Sequence, residues 1–143
     1  MTQEDKKLLL NDLCARLPYG VKFLRESWNF EWDQELSVIE VLEDIDKEGY
    51  INNAKVYNIE DIKPYLRSMS SMTEEENKER IQLGILCAIN DNHERIFDGF
   101  GNESVDTQLK ALDWLNANHF DFRNLIERGL AIAVTKENDP YKN

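Results

Sequence analysis

Hydrophobic positions at the start of the chain fall at helical spacing. Leu9, Leu10, Leu13, Cys14 and Leu17 mark one stripe, and Thr2 with Asp5 three residues on supplies an N-cap. Pro18 restricts Leu17 and Gly20 follows, so the helix ends there. The period then shortens to two. Val21 and Phe23 alternate with Lys22 and Leu24, and Trp28, Phe30 and Trp32 alternate with Asn29 and Glu31. Val38, Ile39, Val41 and Leu42 form a β-branched run, although Glu35 to Glu43 also suits a helix by propensity. Tyr50-Ile51 and Val56-Tyr57 supply a further strand or pair of strands after the turn Asp46-Lys47-Glu48-Gly49. The pattern predicts an antiparallel meander over about 20–58, curled into a small barrel-like sheet.

Past that point the helical period returns. Ile59 to Leu66 reads as a short helical turn interrupted at Pro64, and Ser68 to Ser71 as a polar hinge. Thr73-Glu74-Glu75-Glu76 is a capping box, with three acids in the first turn to suit the helix dipole. Ile81, Ile85, Leu86 and Ile89 predict that helix's buried face, with Gly84 inside it, and Asn90 to Glu103 reads as a loop exposing Phe97 and Phe100. Ser104 caps another helix through Val105, Leu109, Leu112 and Leu115, with Trp114 beside them. Asp121 caps a short one ending at Gly129, and Leu130, Ile132 and Val134 predict an extended segment at a sheet edge. Residues from Lys136 are expected to be loose. The whole is an α+β chain of one domain, 1–143: an N-terminal helix, the strand-rich part at about 20–58, and a helical part at about 73–129.

Composition narrows the classes. A chain of 143 residues with 41% hydrophobic positions is sized for one packed core. No apolar run approaches the ~20 residues that span a bilayer, and MTQEDKKLLL is acidic where a signal peptide is basic, so a cytoplasmic protein with no membrane contact is expected. Cys14 and Cys87 are expected as free residues on apolar helix faces, with neither in a metal-ligand spacing. The net charge of −11 is uneven. Residues 1–25 carry +2, Glu26 to Asp61 carry −9, and the remainder carries −4. Such a middle segment repels phosphate backbones, which disfavours direct nucleic-acid binding, and attracts a basic partner or serves solubility.

Three stretches resemble a group of short proteins from gut Bacteroidales, often encoded in prophage-like or other mobile regions and with no assigned activity. They are TQEDKKLLLNDLCARLPYGVK, NIEDIKPYLRSMSSMTEEE and ALDWLNANHFDFRNLIERGLAIAV, together a little under half of the chain. The resemblance implies a strand-rich segment between the first two stretches and brings no catalytic motif, cofactor or partner. The chain departs from the group across Phe23 to Tyr57 and Cys87 to Glu103.

Candidate chemistry is sparse. Asp44, Asp46 and Glu48, followed by Gly49 and Ile51, have the carboxylate spacing of an EF-hand-like calcium loop. Lys55 stands at position twelve, where a bidentate glutamate should close the shell, so a solvated hairpin turn with Gly49 at positive φ is the favoured reading. His119 would serve as a general base only if Asp113 or Asp121 met it, and a structural role is the favoured reading. His93 reads as a solvated loop residue. No phosphate loop, nucleophile elbow or polarised carboxylate pair is present, so no catalytic residue, metal or cofactor is assigned. The row Trp28, Phe30 and Trp32 either faces the core, the ordinary fate of a strand face, or anchors a partner. Its neighbours Glu31, Asp33 and Glu35 make it the strongest interaction candidate. The sequence thus points to a non-enzymatic protein-interaction module of a phage-like or mobile element, binding another protein, with a basic-surfaced one as a candidate. The rivals are an acidic decoy that mimics nucleic-acid charge and, last, a small hydrolase using His119.

Overall fold

The computed structural model describes residues 1–29 and 34–142, the side chains of 27–29 and 34–36 excepted. The first helix, α1 (Gln3–Arg16), starts where its capping box dictates: the Thr2 hydroxyl accepts the Asp5 amide at 3.0 Å and Asp5 reaches back to the Thr2 amide. A 3₁₀ turn at Leu17–Tyr19 and Gly20 at φ +70° end it. Its inward face holds Leu9, Asp12, Leu13 and Arg16. That face is centred one position away from the expected stripe, so Cys14 lies exposed rather than on it.

Two long strands follow, β1 (Lys22–Asn29) and β2 (Gln34–Val41), paired antiparallel over eight residues each. The short strands β3 (Tyr50–Asn52) and β4 (Val56–Asn58) form a separate antiparallel hairpin. Beyond a 3₁₀ turn at Ile59–Asp61 runs β5 (Ile62–Leu66), which pairs antiparallel with β1 and parallel with the last strand, β8 (Ile132–Ala133). The main sheet therefore has the order β2-β1-β5-β8. It is open, and the 20–58 region is split between two sheets instead of closing into a barrel.

The helical turn expected around Pro64 is a strand, and the hydrogen-bond parity explains how proline fits it. The Leu42 amide donates to the Val21 carbonyl at 2.9 Å, one register step beyond the Lys22–Val41 pair. Odd residues of β1 therefore bond β2 and even ones face β5. Phe23 opposite Pro64 is thus a non-hydrogen-bonded pair, and the missing proline N–H lies on the side away from β1. Pairing with β8 begins only at the next residue, Tyr65.

The second capping box also forms, with the Thr73 hydroxyl accepting the Glu76 amide at 3.1 Å and Glu76 accepting the Thr73 amide at 3.0 Å. The helix it starts, α2 (Glu74–Gln82), is shorter than expected. Gly84 at φ +75° ends it, and a Cβ there would run into the Glu103 side chain. Ile85–Ile89 is β6, paired with β7 (Arg95–Phe100) in a third hairpin; what read as a loop is its turn and second strand. Asn90 builds the turn, its side-chain oxygen accepting the amides of Asn92 and Glu94. Ile81, Leu86 and Ile89 consequently stand exposed, whereas Phe97 and Phe100 pack edge to face. Cys87 lies half-buried on this strand, not on a helix.

Helix α3 (Val105–Ala117) is capped by Ser104, but it buries Ala111 and Leu115 and leaves Val105 and Leu109 exposed. The segment after Asp121 is a series of turns, not a helix, wound on that carboxylate: both oxygens accept amides, from Leu125 and Ile126, at 2.9 Å.

Among the described residues two apolar clusters result. One joins Leu9 and Leu13 to Phe23, Ile51, Ile62 and Leu66; the other joins Met69, Ile85, Ala111, Leu115 and Phe120. Arg16, fully buried, ties them: Nε donates to Asp12 at 2.9 Å and Nη2 to the Phe120 carbonyl. The other Asp12 oxygen accepts from Arg123 at 2.6 Å. The tail is not loose at Tyr141, whose ring stacks on His119 with centroids 3.9 Å apart. Its hydroxyl accepts the Lys22 amide at 2.9 Å and donates to the Tyr65 carbonyl at 2.8 Å. It thereby fills the next rung of the β1–β5 ladder.

Candidate interaction surface

The β1–β2 hairpin outruns the sheet it belongs to. Among the described residues β1 pairs with β5 only over Phe23–Arg25, where Phe23 and Ile62 belong to the core. From Glu26 to Asn29 and from Gln34 to Ser37 the two strands pair, among the described residues, only with each other. Four residues at ~3.4 Å each carry this arm about 14 Å past the last rung shared with β5. Its root is clamped: the Arg25 guanidinium lies 4.4 Å above the Tyr57 ring, and Tyr57 packs edge-on against Phe23.

The strand order leaves β2 at an edge. It carries apolar side chains on both faces, with Val38 36% exposed, Ile39 52% and Val41 41%. Exposed β-branched side chains on an unpaired sheet edge are a feature folded proteins ordinarily suppress. Charge accompanies it. Between Glu26 and Asp46 the sequence has eight carboxylates and no lysine or arginine.

An open groove of about 450 Å³ lies beside the arm's root, on the sheet face that carries Leu24. Leu24 and Ile132 supply apolar floor, while Glu26, Glu60 and Asp61 bring three carboxylates against one cation, Lys63, among the described residues. Apolar floor with an acidic rim fits the aliphatic stem and charged head of a lysine or arginine side chain.

The sequence candidates distribute as follows. Trp28 and Glu35 are register partners on the arm. Phe30, Glu31, Trp32 and Asp33 fall between the two strands in sequence and lie outside the described residues. Asp44, Asp46 and Glu48 belong to the turn before β3. There the Asp46 Oδ1 accepts the amides of Glu48 and Tyr50, both at 3.0 Å, and Gly49 takes φ +90°. The Tyr50 amide holds the Asp46 carboxyl below the usual carboxylate range. Among the described residues no group of three His, Cys, Asp or Glu is placed to share a metal ion.

His119 adopts φ +62° just past α3, pressed against Tyr141. Burial, then the charges of Arg16 and Arg67, push its pKa down to about 4. Neither proposed neighbour meets it: Asp113 accepts the Tyr19 hydroxyl at 2.9 Å, and Asp121 is committed to the two amides above. Desolvation raises both thiols away from the thiolate, that of half-buried Cys87 and, through the packing around its exposed side chain, that of Cys14.

Sequence reading missed two residues that shape this surface. Asn53 bonds the end of β2, its Nδ2 donating to the Val41 carbonyl at 2.7 Å and its Oδ1 accepting the Glu43 amide at 2.9 Å. Tyr141 locks the opposite side of β1 to β5. Only the Asn-Asn pair at 52–53 and an aromatic after Pro140 hinted at either.

Among the described residues no helix is long and apolar enough to cross a membrane. Comparison with known proteins gave no matching family model, no similar curated protein and no similar solved structure.

Proposed function

We propose that this chain is a non-enzymatic protein-interaction module whose β1–β2 arm binds another protein through a basic, partly apolar surface. The observation that carries the reading is the length of the arm: four residue pairs of an acidic hairpin, Trp28 opposite Glu35 among them, stand beyond the sheet, and Phe30 and Trp32 follow Trp28 in sequence. The exposed Ile39 and Val41 and the carboxylate-rimmed groove at the root support the same partner chemistry. The resemblance of the three sequence stretches supports an origin in a phage-like or mobile element.

The test is capture of partners from a lysate of the native host at low and high salt, with the chain and with its Trp28→Ala/Trp32→Ala variant. A partner that survives high salt and is lost from a still-folded variant supports the module. A variant that unfolds places the row in the core and removes the reading. The −9 balance from Glu26 to Asp61 favours a second reading, an acidic decoy for a DNA-binding protein. In that case the captured proteins are lost at high salt and displaced by duplex DNA.

A further inference from the structure

Resting on the reading of the arm as the contact surface, we infer that the outer edge of β2 is a strand acceptor. It takes an extended, basic segment of the partner by backbone pairing. The parity of the hairpin decides which groups are on offer. Leu42 donates to Val21 at 2.9 Å, so the even residues of β2 bond β1 and the odd residues turn their N–H and C=O groups outward. An independent contact agrees: the carbonyl of Val41, an odd residue, is reached from outside by the Asn53 amide at 2.7 Å. Asn53 thus occupies the edge at Val41 as a neighbouring strand would, and closes it there.

Glu35, Ser37 and Ile39 remain, and among the described residues no strand pairs with them on that side. Three residues two apart present three donors and three acceptors at ~7 Å spacing, the repeat of an added strand. Ile39, at 52% exposure, offers an apolar side chain beside the ladder.

Charge selects the occupant. A second copy docked through the same edge would set an acidic strand against an acidic strand, and like charges across a ladder are destabilising. Eight carboxylates run from Glu26 to Asp46 with no lysine or arginine among them in the sequence. Glu40 pairs with Arg25 at 3.5 Å, and the excess that remains favours a strand in which basic residues alternate with β-branched ones.

The edge also supplies its own test, because proline is tolerated in an edge strand where the lost N–H faces outward. Ile39→Pro removes an outward donor and blocks the edge without touching a bond to β1. The probe is a blocked octapeptide of alternating lysine and valine, compared with the same peptide N-methylated at every residue. On binding, amide exchange at Ser37 and Ile39 is expected to slow by about tenfold or more, while the already bonded Val38 and Glu40 change little. Ile39→Pro and N-methylation are each expected to weaken binding by about tenfold or more. Equal binding by the methylated peptide, or binding without protection of Ser37 and Ile39, overturns strand addition and leaves the arm as a side-chain contact surface. No binding of the unmethylated peptide overturns it too, and the Trp28→Ala/Trp32→Ala capture then decides separately whether the arm binds a partner at all. Protection of Ser37 and Ile39 that grows with protein concentration alone makes a second copy the occupant and overturns the basic-strand proposal.

Discussion

Tyr141→Phe removes a single oxygen, yet that oxygen joins two strands. The Lys22 amide donates to it at 2.9 Å and it donates to the Tyr65 carbonyl at 2.8 Å. The ring itself should keep its stack on His119, so packing is conserved and only the bridge is lost. An unmade bond at a buried backbone group costs about 1–3 kcal/mol. Tyr65 is 6% exposed, whereas Lys22 is half-buried and has some access to water, so one group bears most of the cost. The expected loss is therefore about 2 kcal/mol. With a urea slope of about 2 kcal/mol per molar, the midpoint falls by ~1 M with the slope unchanged.

A second readout is alkaline. Burial pushes the Tyr141 pKa up to about 12, against about 10 in an unfolded chain. The folded state favours the protonated phenol, so this stabilisation is complete below pH 10 and is lost as pH rises from 10 towards 12. Tyr19, Tyr57 and Tyr65 are raised as well, so the variant should keep part of the alkaline slope but show less of it. A midpoint shift below about 0.2 M with an unaltered alkaline profile would refute the bridge and the anchored tail.

Two further perturbations address the interior. Arg16→Met withdraws the cation from Asp12 and the donor from Phe120 while keeping much of the volume. Because Arg123 still holds Asp12, a loss of about 3 kcal/mol by denaturant titration is expected, at the lower end for a broken buried pair. His119, depressed to about 4, stabilises the fold while neutral, so stability should be full above pH 6.5 and decline as pH falls from there towards 4. His119→Asn, which tolerates the φ of +62° and cannot titrate, should flatten that part of the profile measured by thermal melts.

Much of the fold was legible wherever a local signal is sufficient by itself. The N-cap at Thr2, the capping box at Thr73, the Ser104 cap and the positive φ of Gly49 are each decided by a few adjacent residues, and all appear where expected. The edge position of Ile132 followed from its alternation. The misreadings arose where two patterns overlap. Ile81, Ile85 and Ile89 fit a helical period, but Gly84 at positive φ divides them, and Ile85 to Ile89 gain hydrogen bonds to Arg95–Phe100 that no local pattern encodes. Pro64 argued against a strand because its role depends on which side of β5 lacks a partner, a property of the ladder and not of the dipeptide. For the surface, alternation marked the arm's residues, but its projection follows from the early end of β5 pairing at Arg25, and the edge register from contacts to Val21 and Asn53.

The most direct measurement shortens the arm. Replacing residues 28–35 by Asn-Gly closes the hairpin at Ser27 and Leu36, a hydrogen-bonded pair suited to a type I′ turn. It removes every aromatic and acidic candidate of the row at once. Partner capture and urea unfolding would be measured on the shortened and full chains side by side. Unchanged unfolding with capture abolished is the expected result; a shortened chain that unfolds, or one that still captures the same partner, would contradict the arm as the contact surface.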